Sequence, residues 1–284
     1  MLTSFDHALI AVRDLEAAAA DYERMLGRRR SWRGVHPDLG TENALFKLDN
    51  TYLELLAPGA SGPVAELLTR RLEEQGEGLV GMAFGTDDAE LCAGTLRERG
   101  LAAADPRAGE GRDLESGAVR HWRNVMLPTE ETRGLTLFAI EHVSPPEALP
   151  YAAAEVEVGA VDGLDHIVIN TVDAEAAIAL YGDKLGIRLA LDRRFEARGM
   201  RLLFFRIGGI TVEVAASLEE RGPAETPDRF FGLAYRVADA HLARERLAAA
   251  GFEIGRVRDG HKPGTLVCTI REPTHGVPTL LISS

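Results

Sequence analysis

Two histidines and two glutamates stand at matched positions in this 284-residue chain: His7 precedes Glu54 by 47 residues, and His166 precedes Glu213 by the same 47. An imidazole and a carboxylate together can abstract a proton, provided a pocket tunes the carboxylate upward toward working pH. The plainer alternative is a strand histidine whose ring satisfies the glutamate, because a carboxylate buried without a partner is costly. Both readings need the two side chains to meet inside the fold.

The elements that would position them repeat. Phe5-Asp6-His7-Ala8-Leu9-Ile10-Ala11-Val12 aligns with Leu164-Asp165-His166-Ile167-Val168-Ile169-Asn170-Thr171 at an offset of 159, which also pairs Tyr22 with Tyr181 and Gly27 with Gly186. A fainter offset of 151 pairs Gly81-Met82-Ala83-Phe84 with Gly232-Leu233-Ala234-Tyr235. Four units result, each with an aspartate seven residues after its reference position: Asp14, Asp88, Asp173 and Asp239. Such an aspartate reads as a helix N-cap that ends a strand. The Ala-rich stretches that follow, Leu15 to Met25 and Ala174 to Lys184, close on Leu-Gly, a helix stop. Short β-like runs come next; Arg201 to Arg206 and Ile210 to Val214 flank Gly208-Gly209 as a hairpin. A unit of one strand, one helix and three strands cannot bury its sheet alone, so units should pair. The class is α+β, with four βαβββ modules in two tandem halves. Residues 1–144 and 163–284 are the expected domains, and the Pro-containing 145–162 the linker.

This pattern resembles the vicinal oxygen chelate superfamily of glyoxalase, bleomycin-resistance and extradiol dioxygenase proteins, whose modules pair into curved half-barrels. His36 to Leu45 with Tyr52-Leu53-Glu54-Leu55 is similar to its glyoxalase-like domain subgroup, where a Gly-Thr-x-Asn turn precedes a Tyr-Leu-Glu strand. Glu272-Pro273-Thr274-His275-Gly276 is similar to the turn before the last strand of many members. The resemblance implies a divalent cation, Zn, Ni, Mn or Fe, held by a histidine on the first strand of a unit and a glutamate on its last. His7 with Glu54, and His166 with Glu213, occupy those places. The second and fourth units depart from the pattern, with Gly81 and Gly232 at the histidine place and Phe138 and Leu280 at the glutamate place. Each half therefore keeps two such ligands, and His142, His275, Tyr52 and Arg236 are candidates to complete a set. That shortage disfavours extradiol cleavage and the methylglyoxal reaction.

Two functions follow from the resemblance. One is a metal-dependent lyase, isomerase or dioxygenase-type enzyme on a small oxygenated compound, with Glu54 or Glu213 moving a proton and Asn43, Tyr52, Trp122, Phe138 and Arg236 contacting substrate. The other is a metal-free module that sequesters a small hydrophobic molecule. Asn43 also reads as a simple turn residue, and Trp122 as core.

The net charge of -12 offers no basic stripe for nucleic acid, and no apolar run approaches a membrane span. Cys92 and Cys268 read as buried small hydrophobes. No phosphate loop, nucleophile elbow or dinucleotide fingerprint occurs. The start of the chain reads as a strand and not a secretory signal, so cytoplasmic residence is expected; a monomer or homodimer is expected as well.

Overall fold

The computed structural model describes residues 1–151, 154–156, 158–219, 223 and 225–284. The first half runs β1 (Leu2–Ala11), α1 (Leu15–Leu26), β2 (Trp32–His36), β3 (Thr41–Lys47), β4 (Tyr52–Pro58), α2 (Pro63–Gln75), β5 (Gly78–Thr86), α3 (Ala89–Glu98), β6 (Arg107–Asp113), β7 (Val119–Met126) and β8 (Thr136–His142). The second runs β9 (Val161–Thr171), α4 (Ala174–Ala177) continuing into a π-helical Ile178–Lys184, β10 (Arg188–Phe195), β11 (Met200–Ile207), β12 (Ile210–Ser217), β13 (Arg229–Val237), α5 (Ala240–Ala249), β14 (Glu253–Ile254), β15 (Arg258–Asp259), β16 (Leu266–Glu272) and β17 (Thr279–Ser283).

All four aspartates cap their helices: Asp14 accepts from the Ala17 amide, Asp88 from Leu91, Asp173 from Ala176, and Asp239 from His241 and Leu242. Gly27 closes α1 in the left-handed conformation, at φ 67°. The helix of the third unit, α4, differs from expectation, since after one α-turn it widens to a π ladder. Gly182 stands there where α1 has Glu23, and a mid-helix glycine weakens the regular ladder.

Units one and two form a closed barrel in the order β1-β4-β3-β2-β6-β7-β8-β5. Closure depends on β2 meeting β6, where Gly34 lies opposite Asp113 and Val35 opposite Arg112. Glycines make the room: a Cβ on Gly109 or Gly111 would run into the Trp122 indole, and one on Gly34 into that of Trp32. Units three and four follow the same order, but their sheet stays open between β10 and β14. Arg193 occupies the Gly34 place there, at the same 159 offset. The first pair thus closes further than the expected half-barrel, and the second does not.

Alternation along the strands divides each residue set between two faces. Ala8, Ile10, Ala44, Phe46, Leu53 and Leu55 face outward into a core shared with the helices. Leu9, Ala83, Trp122, Phe138 and Ile140 face into the barrel. One end is plugged by Leu68 and Leu72 of α2 against Ala11 and Leu56. The other is covered by Leu149, from the segment expected to be linker, which packs on Trp32, Leu45 and Tyr52. Lys47 holds that segment by donating to the Pro146 and Leu149 carbonyls. Residues 152, 153 and 157 of the segment lie outside the described residues.

Candidate functional site

In the first barrel the expected dyad meets. His7 Nε2 lies 3.4 Å from Glu54 Oε2, and His7 Nδ1 lies 2.7 Å from Asp6 Oδ1. Neighbours on a strand normally face opposite ways, but a register shift between Phe5 and His7 bulges β1 and turns Asp6 toward the same face. Asp6 also takes a 2.9 Å hydrogen bond from His142 Nε2 at the barrel rim. Glu54 Oε1 accepts from Asn43 Nδ2 at 2.8 Å. Tyr52 stacks on the His7 ring at 4.5 Å and 20°, and Phe138 meets that ring edge-on at 5.7 Å. Arg120 lies over the rings of Trp32 and Tyr52.

The dyad is enclosed: His7 is 2% and Glu54 7% exposed. Burial alone would lower the His7 pKa, but hydrogen bonds to Asp6 and Glu54 outweigh it and raise it to about 9. Burial would likewise raise Glu54, yet His7, His36 and Asn43 bring it down to about 2. The tuning is therefore opposite to that of a base poised near neutrality, because partners outcompete desolvation. Asp6 is held low for the same reason by His142 and His7.

In the second half His166 Nδ1 again bonds its preceding aspartate, Asp165, at 2.7 Å, with a matching bulge in β9. His166 Nε2 stands 4.0 Å from Glu213 Oε2, and both side chains are half-buried. Here burial prevails over the attraction of His166, and the Glu213 carboxyl is raised. The surroundings differ more than the dyads do. Phe195, Leu202 and Thr211 stand where the first barrel has His36, Asn43 and Tyr52, at the 159 offset and in the same strand register.

Of the other expected residues, Asn43, Tyr52, Trp122 and Phe138 all gather in the first barrel, Trp122 edge-on to His36 at 5.6 Å. Arg236 stands apart from that dyad, on β13 beside Gly163, with its charge reaching Asp162 and Asp165. His142 reaches the site through Asp6. His275 does not, because it bridges Glu77 and Asp21 at 3.0 Å each, between the two halves. Two residue types escaped the sequence reading. His36 was signalled by the inward alternation Trp32-Gly34-His36, and the orienting aspartates by the Asp-His doublet that repeats with the offset.

Two surface depressions of about 500 and 450 Å³ lie elsewhere, beside α2 at Glu66 and Arg70 and around Arg256 and Arg271. Among the described residues no group of three His, Cys, Asp or Glu side chains is gathered to hold a metal ion. What does fit a cation is the donor chemistry of the first dyad. Two carboxylates flank His7, Nε2 and Oε2 face one another at a spacing two ligands of one ion could share, and Nδ1 is fixed by Asp6 as an orienting partner should fix it.

A glyoxalase-like domain model matches residues 5–162, and a glyoxalase/bleomycin resistance protein/dioxygenase superfamily model matches residues 165–269. The chain belongs to the glyoxalase-like, vicinal oxygen chelate superfamily. It is 33% identical over 113 residues to an ethylmalonyl-CoA/methylmalonyl-CoA epimerase of Cereibacter sphaeroides, covering 38% of this chain and 82% of that protein. It is 40% identical over 70 residues to human mitochondrial methylmalonyl-CoA epimerase, 24% of this chain and 40% of the other. Among solved structures, a mutant 4-hydroxymandelate synthase from Streptomyces coelicolor superposes with a TM-score of 0.72 at 17% identity, covering 100% of this chain and 93% of that one. A hypothetical protein from Staphylococcus aureus superposes at 0.67, with 11% identity and 98% of both chains. These two likenesses bear on fold. No described helix is long and apolar enough to cross a membrane.

Proposed function

We propose that this protein is an enzyme acting on a small oxygenated organic compound, with its working site in the first barrel. The observation that supports this is the His7–Glu54 pair, 3.4 Å apart, set among polar and aromatic side chains that the second half replaces with Phe195 and Leu202. His7 and Glu54 would hold a divalent cation of the Zn, Ni, Mn or Fe class, which when bound supplies Lewis acidity to adjacent substrate oxygens. Asp6 fixes the ring of His7, and Asn43 holds Glu54 Oε1 while Glu54 Oε2 faces His7. Tyr52, Trp122 and Phe138 wall the space and keep water out of it. The epimerases among the relatives favour the isomerase or lyase branch of the superfamily over the dioxygenase branch.

The test is metal content of protein purified without chelator, for the natural chain, for His7→Ala/Glu54→Ala, and for His166→Ala/Glu213→Ala. Stoichiometric metal lost only in the first variant is the expected result. Absence of metal from all three, with no rise in melting temperature on adding Zn, Ni, Mn or Fe, would sink the reading.

The second half supports a separate binding role. Register places Leu202, Phe204, Val168, Leu280 and Ile282 on the face of the open sheet that carries the His166–Glu213 pair, all half-buried. Such a face suits sequestration of a small hydrophobic molecule. A compound that raises the melting temperature, and does so no longer in Phe204→Ala, with no chemical change to the compound, is the outcome this role requires.

A further inference from the structure

We infer that His36 is a third protein ligand, beside His7 and Glu54, for a borderline divalent transition ion in the first barrel, and that the Asn43 amide keeps the ion's place until it binds. The inference rests on the cation reading of that barrel and adds to it a residue from β2, a strand outside the first-and-last-strand pattern.

The two imidazoles are disposed alike around one carboxylate. His7 faces Glu54 Oε2 at 3.4 Å, with its far nitrogen on Asp6 at 2.7 Å. His36 faces Glu54 Oε1 at 3.8 Å, with its far nitrogen on Thr41 Oγ1 at 2.9 Å. A ring held at one nitrogen by an oxygen and aimed by the other at a shared centre is how ligating histidines are oriented. Between His36 and Glu54 stands Asn43 Nδ2, 3.2 Å from His36 Nε2 and 2.8 Å from Glu54 Oε1. An N–H group donating to both marks an electropositive position between two acceptors. It also assigns the tautomer: His36 Nε2 accepts, so its proton lies on Nδ1 toward Thr41, and the lone pair points at the site.

Asn43 Oδ1 is buried and has no hydrogen-bond partner, an arrangement that calls for an explanation. Rotation of the amide on ion binding would withdraw Nδ2 from the gap and give Oδ1 an electropositive neighbour. Phe195 and Leu202 replace His36 and Asn43 in the second half, so the dyad there stays at two ligands. Two imidazoles and one carboxylate suit Fe(II), Co(II), Ni(II) or Zn(II) and not Mg or Ca.

The experiment titrates the full chain anaerobically with Co(II), following ligand-field absorption and affinity. Loss of an orienting partner alone typically costs about 10–100-fold in affinity, so His36→Ala should cost at least that and change the spectrum, while His166→Ala leaves the stronger site alone. Co(II) bound equally tightly with an unchanged spectrum in His36→Ala would overturn the role of His36 and leave the cation reading intact. No Co(II) bound by the natural chain, or binding indifferent to His7→Ala, would overturn both. Should His36→Ala not fold, ring ¹⁵N shifts of His36 in the natural chain with added Zn(II) decide the matter, since an unmoved Nε2 resonance excludes ligation.

Discussion

His7 sits between two carboxylates in a space that water does not reach, and the stability of the barrel depends on its charge. Its folded pKa is raised from 6.5 to about 9, so this contribution is full below pH 6.5 and is lost as pH rises through 9. Glu54 is depressed from 4.5 to about 2, so its contribution is full above pH 4.5 and is lost as pH falls toward 2. Both are complete between about pH 4.5 and 6.5. In His7→Gln, Asp6 and Glu54 would be buried without their shared cation, at a cost of about 3–5 kcal/mol. Urea unfolding across pH 5 to 10 should show that loss near pH 6 and a flattened alkaline limb. An alkaline limb unchanged from the natural chain would mean another group titrates there. The positions of this histidine and glutamate were legible in the sequence because their types and spacing repeat. Their protonation was not, because it depends on Asp6, which a strand bulge turns inward, and on Asn43, which arrives from β3.

Among the elements, α2 determines how open the first barrel is. Its Leu68 and Leu72 pack on Ala11 and Leu56 to close one end. Nineteen residues (59–77) separate β4 from β5, against eleven (218–228) between β12 and β13, and that difference of eight is the drop in repeat offset from 159 to 151. The insertion was thus visible in the numbers, but what it folds into was not, since its apolar residues find a partner only once the barrel exists. Leu72 is 3% exposed, and Leu72→Ala should cost about 2–5 kcal/mol and speed amide exchange in β1 and β4 near Ala11 and Leu56. Slower or unaltered exchange there would show that α2 is not the plug. The helix caps, by contrast, were fully readable, because an aspartate seven residues after each reference position needs only local backbone groups to satisfy it. Barrel closure lay in between: glycines at 34, 109 and 111 are evident in the sequence, but their meaning depends on two indoles brought against them from elsewhere.

At the scale of the molecule, the two halves share one buried core, with α1 and β5 residues in the same cluster as those of β9, β12 and β13. Polar groups fix the halves across it. Arg246 donates to the Arg24 and Met25 carbonyls, Arg24 returns a bond to the Ala250 carbonyl, and His275 joins Asp21 to Glu77. The most deeply placed pair is Arg133 with Asp228, at 2.9 Å, the aspartate side chain having no exposure at all. Burial holds the Asp228 carboxyl above its ordinary range even with Arg133 beside it. Arg133→Ala should therefore destabilise the chain by about 3–5 kcal/mol at neutral pH, since it strands a buried carboxylate. A folded pKa above the unfolded one means the folded state binds the extra proton, so the deficit should shrink as pH falls toward 4. Asp228→Ala in the same chain removes the stranded charge and should recover most of the loss. Calorimetry of all three should show one transition for the natural chain, because neither half can lower its melting point without exposing the shared core. Two separated transitions in the natural chain, or a double variant no more stable than Arg133→Ala, would show that the halves are held by something other than this pair and the core around it.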